Sequence, residues 1–207
     1  MLGHEGVGEV LDIGPGVKKV VTGDKVILHW MKGSGLESET PLYTYNGKRV
    51  NAGWVTTFNE YAVISENRLT PFIGDEKPEY SLLGCAIPTA LGMVFNDLNA
   101  KPYHKVLIIG SGGVGLFVLQ GLKLNCVESV VVMDKSAAAL DLAMQLGADG
   151  IYLLDDENLK DKLLAFTGGK GFDKVILTTG NKQAIEFGVE MTKTPGETLL
   201  MGVPKHD

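Results

Sequence analysis

The chain has 207 residues, a net charge of −6, 44% hydrophobic and 21% charged residues. That balance fits a folded globular protein, excludes a disordered one, and gives no electrostatic reason to expect nucleic acid or an anionic membrane surface as partner. Its 27 glycines show no three-residue period and its prolines number only 8, which excludes collagen and leaves glycine as a marker of sharp turns and close backbone approach.

From Met1 to about Thr70 the chain reads as short β segments cut by Gly, Pro and Asp. Val7–Ile13, Lys25–Trp30 and Asn59–Ile64 are rich in β-branched and aromatic residues, and Gly14-Pro15-Gly16 and Thr22-Gly23-Asp24 supply turns. Met31–Asn51 is polar and Gly-rich, an extended loop or a small hairpin turning at Asn46-Gly47. Ser81–Asn96 is helical in pattern, with Pro88 interrupting it or opening a second helix in its first turn. The texture changes between Cys85 and Ala100, and the division is set at residues 1–90 and 91–207.

Beyond it strands and helices alternate. Lys105–Gly110, Ser129–Asp134, Ile151–Leu154, Asp173–Thr179 and Glu197–Val203 read as strands. Helices fall at Val114–Leu124, around Leu140, Ala143, Met144 and Gly147 with Ser136 as N-cap, around Leu159, Leu163 and Phe166, and at Lys182–Met191. Such alternation predicts an α/β fold with a doubly wound parallel sheet and right-handed crossovers.

The string Gly110-Ser111-Gly112-Gly113-Val114-Gly115 follows the first of these strands, opens a helix, and precedes Asp134 by 24 positions counted from Gly110. This is the context expected of a dinucleotide-binding fingerprint. Gly110 makes the tight turn, Gly112 admits the pyrophosphate, and Gly115 lets the helix pack on the sheet, while the helix start attracts phosphate. Gly113, Val114 and, at the end of the fourth strand, Thr179 join the cofactor-binding set. Asp134 would accept hydrogen bonds from the adenosine ribose and repel a 2′-phosphate, favouring NAD over NADP, although Lys135 beside it softens that preference. The competing reading is a Gly-rich turn that binds nothing, or that binds another nucleotide.

His4-Glu5 and Cys85 taken alone have bland explanations, a surface pair and a core thiol. The surrounding residues change their meaning. Gly3-His4-Glu5-Gly6-Val7-Gly8-Glu9-Val10, Gly14-Pro15-Gly16-Val17, Gly23-Asp24-Lys25-Val26, Phe58-Asn59-Glu60-Tyr61 and Leu82–Ala90, then Gly110–Gly115 with Asp134, follow in an order that resembles zinc-dependent alcohol dehydrogenases of the medium-chain dehydrogenase/reductase family. The resemblance implies a GroES-like β-rich catalytic domain, here incomplete, ahead of a Rossmann domain. It also implies His4 and Cys85 as ligands of a catalytic zinc, Glu5 as a neighbouring carboxylate that assists ligand exchange, and Thr89 as a residue lying against the nicotinamide. The chemistry implied is hydride transfer between NAD and a small alcohol or carbonyl substrate, with zinc acting on the substrate oxygen.

The resemblance also has gaps. The family's first thiolate ligand and its proton relay lie upstream of the Gly-His-Glu motif, and a sixth strand, often the oligomer contact, follows the fifth. The expectation is therefore a chain cut short at both ends, binding zinc weakly through an incomplete ligand set, inactive or nearly so by itself, and doubtful as the homo-oligomer its full-length parent would form. Met31–Asn51, where many members carry a structural zinc on four cysteines, contains none, so no structural zinc is expected.

His29 could border the substrate cleft, whereas His104 and Cys126 read as structural and His206 sits at the C-terminal end. Only two cysteines, no secretory pattern in MLGHEGVGEV, and no apolar run near ~20 residues predict a cytoplasmic protein without a membrane span. The alternatives within the family are a polyol or threonine dehydrogenase, and a zinc-independent quinone reductase, which the pair His4 and Cys85 disfavours. From another class comes a non-catalytic dinucleotide-binding protein.

Overall fold

Short strands joined by turns dominate the first part of the computed structural model, which describes residues 3–202 and 204. The chain divides into two units, one running up to Pro88 and the other starting at Thr89. In the first, β1 (Gly6–Glu9) pairs antiparallel with β2 (Lys25–Leu28), a hairpin of β3 (Tyr43–Tyr45) and β4 (Lys48–Val50) follows, and β5 (Leu69–Phe72) returns antiparallel to β2. The hairpin turns at Asn46 and Gly47, both at positive φ, as the Asn-Gly dipeptide predicts. A small core of Val20, Val26 and Leu69 holds this sheet together.

Two expectations fail here. Asn59–Ile64 forms no strand, and its apolar alternation has no buried face to serve, since Tyr61 and Val63 are 72% and 61% exposed. The third strand of the sheet is β5 instead, whose Pro71 hides it in the sequence and is accommodated because β5 lies at a sheet edge. The first strand also stops at Glu9, short of the expected Ile13, and Leu11 and Ile13 are exposed.

The loops of this unit converge on one buried carboxylate. Glu66 accepts from the backbone amides of Leu36 and Lys18 at 2.6 Å each, and from that of Lys19. Gly35 passes it at φ +116, where a Cβ would meet Glu66 Cγ at 2.8 Å. Next to it, the Arg68 guanidinium lies 5.3 Å from the ring centroids of both Trp30 and Trp54 and 3.2 Å from Glu37 Oε1. The amides of Leu36, Lys18 and Lys19 hold the Glu66 carboxyl below the usual glutamate range. A carboxyl with a lowered folded-state pKa stabilises the fold above the ordinary value, and that contribution disappears as pH falls through the lowered one. Acid titration should therefore shift the emission of Trp30 and Trp54 below the ordinary glutamate range. Glu66→Gln should show the loosened emission at neutral pH and a smaller acid step, the remainder coming from Glu37, whose carboxyl Lys32 and Arg68 also hold below the usual glutamate range.

A 3-10 turn over Pro78–Gly84 leads to α1 (Ala86–Gly92), with Pro88 in its first turn, and a π turn over Met93–Asp97. The second unit then alternates as expected: β6 (Lys105–Ile109), α2 (Gly113–Leu124), β7 (Ser129–Asp134), α3 (Ala137–Gln145), β8 (Gly150–Leu153), α4 (Leu159–Phe166), β9 (Phe172–Leu177), α5 (Lys182–Met191) and β10 (Thr192–Leu200). All its strands are parallel, in the order β10-β9-β6-β7-β8. Successive side chains go to opposite faces: Val106, Ile108, Val130, Val132 and Ile176 join one core with α2 and α3, and Leu107, Ile109, Val131, Met133, Val175 and Leu177 join the other with α4 and α5. Ser136 caps α3 and Asn181 caps α5, while Gly147, at φ +96, ends α3. The fold is thus the doubly wound parallel sheet, joined to a strand-rich unit, that the sequence predicts. The last strand starts earlier than expected, with Thr192 opposite Phe172 and a register shift before Glu197, and Val203 falls outside the described residues.

Candidate dinucleotide site and the His4–Cys85 region

In this strand order the chain reverses direction between β6 and β9, so the crevice beyond their carboxyl ends is where a ligand fits such a sheet. Gly110, Gly112, Gly113, Val114 and Gly115 all stand there, between β6 and the first turn of α2. Gly110 takes φ +108, and a Cβ on it would fall 2.3 Å from Thr178 Oγ1. A Cβ on Gly115 would fall 1.9 Å from the Gly110 carbonyl oxygen. The protein's own packing requires both glycines.

Gly112 is different. Its φ is −70, it is exposed, and nothing lies within 4 Å of where its Cβ would stand; Gly113 is equally open. Gly112 is also the N-cap of α2 and has no side chain with which to cap it. Leu116 makes the first helical bond back to Gly112, so the amides of Gly113, Val114 and Gly115 precede the ladder and have no backbone acceptor among the described residues. A cradle of unpaired amides at the positive end of a helix, cleared of side chains, suits a phosphate-bearing ligand.

Asp134 ends β7 beside this turn. Its Oδ2 accepts from the Ser111 amide at 2.6 Å and its Oδ1 from the Ser136 amide at 2.9 Å. Partial burial works to raise its pKa, but the amides of Ser111, Ser136 and Lys135 outweigh that and hold the carboxyl below the usual aspartate range. It is therefore ionised at neutral pH, and each oxygen retains a lone pair for a further donor. Thr179 lies just past β9, where its Oγ1 accepts from the Asn181 amide at 3.3 Å, and Gly202 passes so close that a Cβ would meet the Thr179 carbonyl carbon at 2.1 Å. The sequence reading missed Thr178, whose hydroxyl contacts the turn itself. The paired threonines at a strand end are the signal the sequence offers for both Thr178 and Thr179.

In the other unit, His4 is exposed and Glu5 packs against the backbone of Gly84, where a Cβ would meet Glu5 Cβ at 2.7 Å. Glu5 Oε2 accepts from the Ala86 amide at 3.0 Å, so this carboxylate is bonded to the segment that carries Cys85. Among the described residues, no three His, Cys, Asp or Glu side chains gather closely enough to hold a metal ion. His29 is satisfied within its own unit: Nδ1 donates to the Met31 carbonyl at 2.7 Å, which leaves Nε2 to accept from the Thr70 hydroxyl at 3.0 Å. His104 accepts from the Lys101 amide at 3.1 Å and stacks edge-on with Tyr103, and His206 lies outside the described residues. Thr89 is exposed on α1, in the second unit.

Comparison with known proteins decides the family. Residues 1–74 match the alcohol dehydrogenase GroES-like domain and residues 113–207 the zinc-binding dehydrogenase domain. The chain belongs to the zinc-dependent alcohol dehydrogenases of the medium-chain dehydrogenase/reductase family. Among its relatives, an S-(hydroxymethyl)glutathione dehydrogenase of Synechocystis is 29% identical over 98% of this chain and 63% of the relative. One of Escherichia coli O157:H7 is 30% identical over the same shares. Benzyl alcohol dehydrogenase from Acinetobacter calcoaceticus superposes with a TM-score of 0.82 at 26% identity, over 98% of this chain and 62% of that one. An alcohol dehydrogenase zinc-binding domain protein from Burkholderia ambifaria gives 0.84 at 25%, over 99% and 62%. The chain thus spans a little under two thirds of the length of these dehydrogenases. Among the described residues, no helix is long and apolar enough to cross a membrane.

Proposed function

We propose that this chain binds NAD(H) in its second unit and forms part of an oxidoreductase that interconverts a small alcohol with an aldehyde or ketone. The observation that carries the reading is Gly112. The fold explains Gly110 and Gly115, whereas no protein atom fills the space beside Gly112 at the start of α2, which leaves that space clear for a ligand. When bound, the nicotinamide supplies the hydride acceptor or donor. The chain's part is to hold it: the amides of Gly113, Val114 and Gly115 meet the pyrophosphate, and the ionised Asp134 accepts from the adenosine ribose hydroxyls and disfavours a 2′-phosphate. Thr179 lines the same crevice and Thr89 is assigned to the nicotinamide side. In this reading residues 1–90 form the catalytic domain and 91–207 the cofactor domain.

For zinc the fit is incomplete. His4 and Cys85 would supply an imidazole and a thiolate, two of the three protein ligands a catalytic zinc takes. Glu5 is engaged at the Ala86 amide, and no third ligand-type side chain joins them among the described residues. No step is therefore derived through the metal. The segment Met31–Asn51 has no cysteine and cannot offer a thiolate cage for a structural zinc. Cys85 and Cys126, neither in a disulfide, suit a reducing cytoplasmic setting.

The reading is tested by titrating the chain with NADH and following the nicotinamide fluorescence. Saturable binding is expected, weakened about tenfold or more in Asp134→Ala, because a hydrogen bond to a charged group is worth about 1.5–3 kcal/mol. A wild-type chain that leaves the NADH signal unchanged overturns it. A second reading, a dinucleotide-binding chain without turnover, is favoured by the incomplete ligand cluster. NADH binding with no oxidation of simple alcohols in the presence of zinc and NAD would decide for it.

A further inference from the structure

The peptide unit joining Gly110 to Ser111 is held at both of its polar ends by side chains from different strands. Its carbonyl oxygen lies 3.0 Å from the hydroxyl of Thr178, just past β9. Its N–H donates at 2.6 Å to Asp134 Oδ2, at the end of β7. β9 and β7 are the two neighbours of β6 in the sheet, so the turn leaving β6 is gripped from both sides. The Thr178 hydroxyl has a single proton to give, and the Ile109 carbonyl, at 3.2 Å, is its other acceptor; that carbonyl already receives the Thr178 amide at 3.0 Å. Gly110 N–H donates to Met133 O at 2.8 Å, which fixes the preceding peptide as well.

We propose that Thr178 and Asp134 form a clamp on the Gly110–Ser111 peptide, and that Thr178 is a positioning residue for dinucleotide binding. The clamp sets the rotation of this one peptide plane, and through it the direction in which Gly112 and the open amides of Gly113, Val114 and Gly115 point. It also explains two glycines at once. Thr178 Oγ1 stands 2.3 Å from where a Cβ on Gly110 would be and 3.4 Å from that of Gly115, so the hydroxyl fits only because both positions are bare. Ser111 spends its amide on Asp134 and is thereby withdrawn from the phosphate. The functional half of this inference rests on the NAD(H) reading above; the clamp itself does not.

Amide hydrogen exchange and NADH titration on Thr178→Val and Thr178→Ser separate the two. Valine keeps the shape and loses the hydroxyl, whereas serine keeps the hydroxyl. In Thr178→Val the Ser111 amide should exchange about tenfold faster, with the β6 amides of Val106 and Leu107 unchanged, and NADH should bind about five- to tenfold more weakly. Thr178→Ser should restore both to within about twofold. Thr178→Ala removes the same hydroxyl without placing a methyl against Gly110 and gives the same readout if valine prevents folding. Unchanged Ser111 exchange in folded Thr178→Val or Thr178→Ala overturns the clamp, whether or not NADH binds. Faster Ser111 exchange with unchanged NADH affinity overturns the positioning role. A wild type that binds no NADH removes the ligand reading, and the exchange result still judges the clamp.

Discussion

Alanine at position 115 is expected to lower the stability of the second unit by about 1–3 kcal/mol and to abolish measurable NADH binding, because overpacking a tight contact costs that much. Alanine at 112 should cost no more than about 1 kcal/mol, the loss of a glycine N-cap, yet weaken NADH about tenfold. The contrast comes from where the new methyl would go. At 115 it would be driven to 1.9 Å from the Gly110 carbonyl oxygen, so the helix must retreat from the turn. At 112 it stands in open space on a backbone that alanine adopts without strain, and only a phosphate-bearing ligand would meet it. Chemical denaturation followed by far-UV circular dichroism, beside NADH titration, reads both effects. Equal loss of stability at the two positions would mean that 112 is a packing glycine and would remove the main support for the dinucleotide reading.

The second unit was legible in the sequence because its three central strands, β6, β7 and β9, are covered on both faces and so spell themselves as nearly continuous apolar runs, Val106–Ile109 and Val130–Met133 being the clearest. Its helix ends carry local chemistry, Ser136, Gly147 and Asn181, that needs no tertiary knowledge. The first unit was harder to read. Its strands are four residues or fewer and its core is three buried side chains with a few half-buried neighbours, so tertiary contacts decide which segments become strands. Asn59–Ile64 has the better strand composition and Leu69–Phe72 the proline, yet β5 lies against β2. Nor could spacing reveal that Glu66, 30 positions after Leu36, gathers two distant loops. The fingerprint glycines were readable in their order, but the reason for each was not. The partner of Gly110 is the Thr178 hydroxyl, 68 positions away, and only the sheet order brings the two together.

Phe172→Ala should cost about 3–5 kcal/mol, a sizeable part of the roughly 5–15 kcal/mol that holds a domain folded. Phe172 opens β9, is fully buried, stacks on Phe166 with centroids 6.2 Å apart and planes 16° from parallel, and faces Thr192 across the ladder. Truncation leaves a cavity between the sheet and α4 that the surrounding side chains, already close-packed, fill only in part. The same strand leads to Thr178 at its other end, a strand's length from Phe172. The folded fraction of Phe172→Ala should therefore bind NADH as wild type does while unfolding at lower urea concentration, the reverse of the pattern expected for Gly112→Ala. Both tryptophans, Trp30 and Trp54, belong to the first unit, so circular dichroism rather than tryptophan emission must report the loss. If Phe172→Ala instead weakens NADH in proportion to its stability loss, the turn beyond β9 is set by the packing at the strand's start as well as by the Thr178 hydroxyl, and strand and clamp act as one unit.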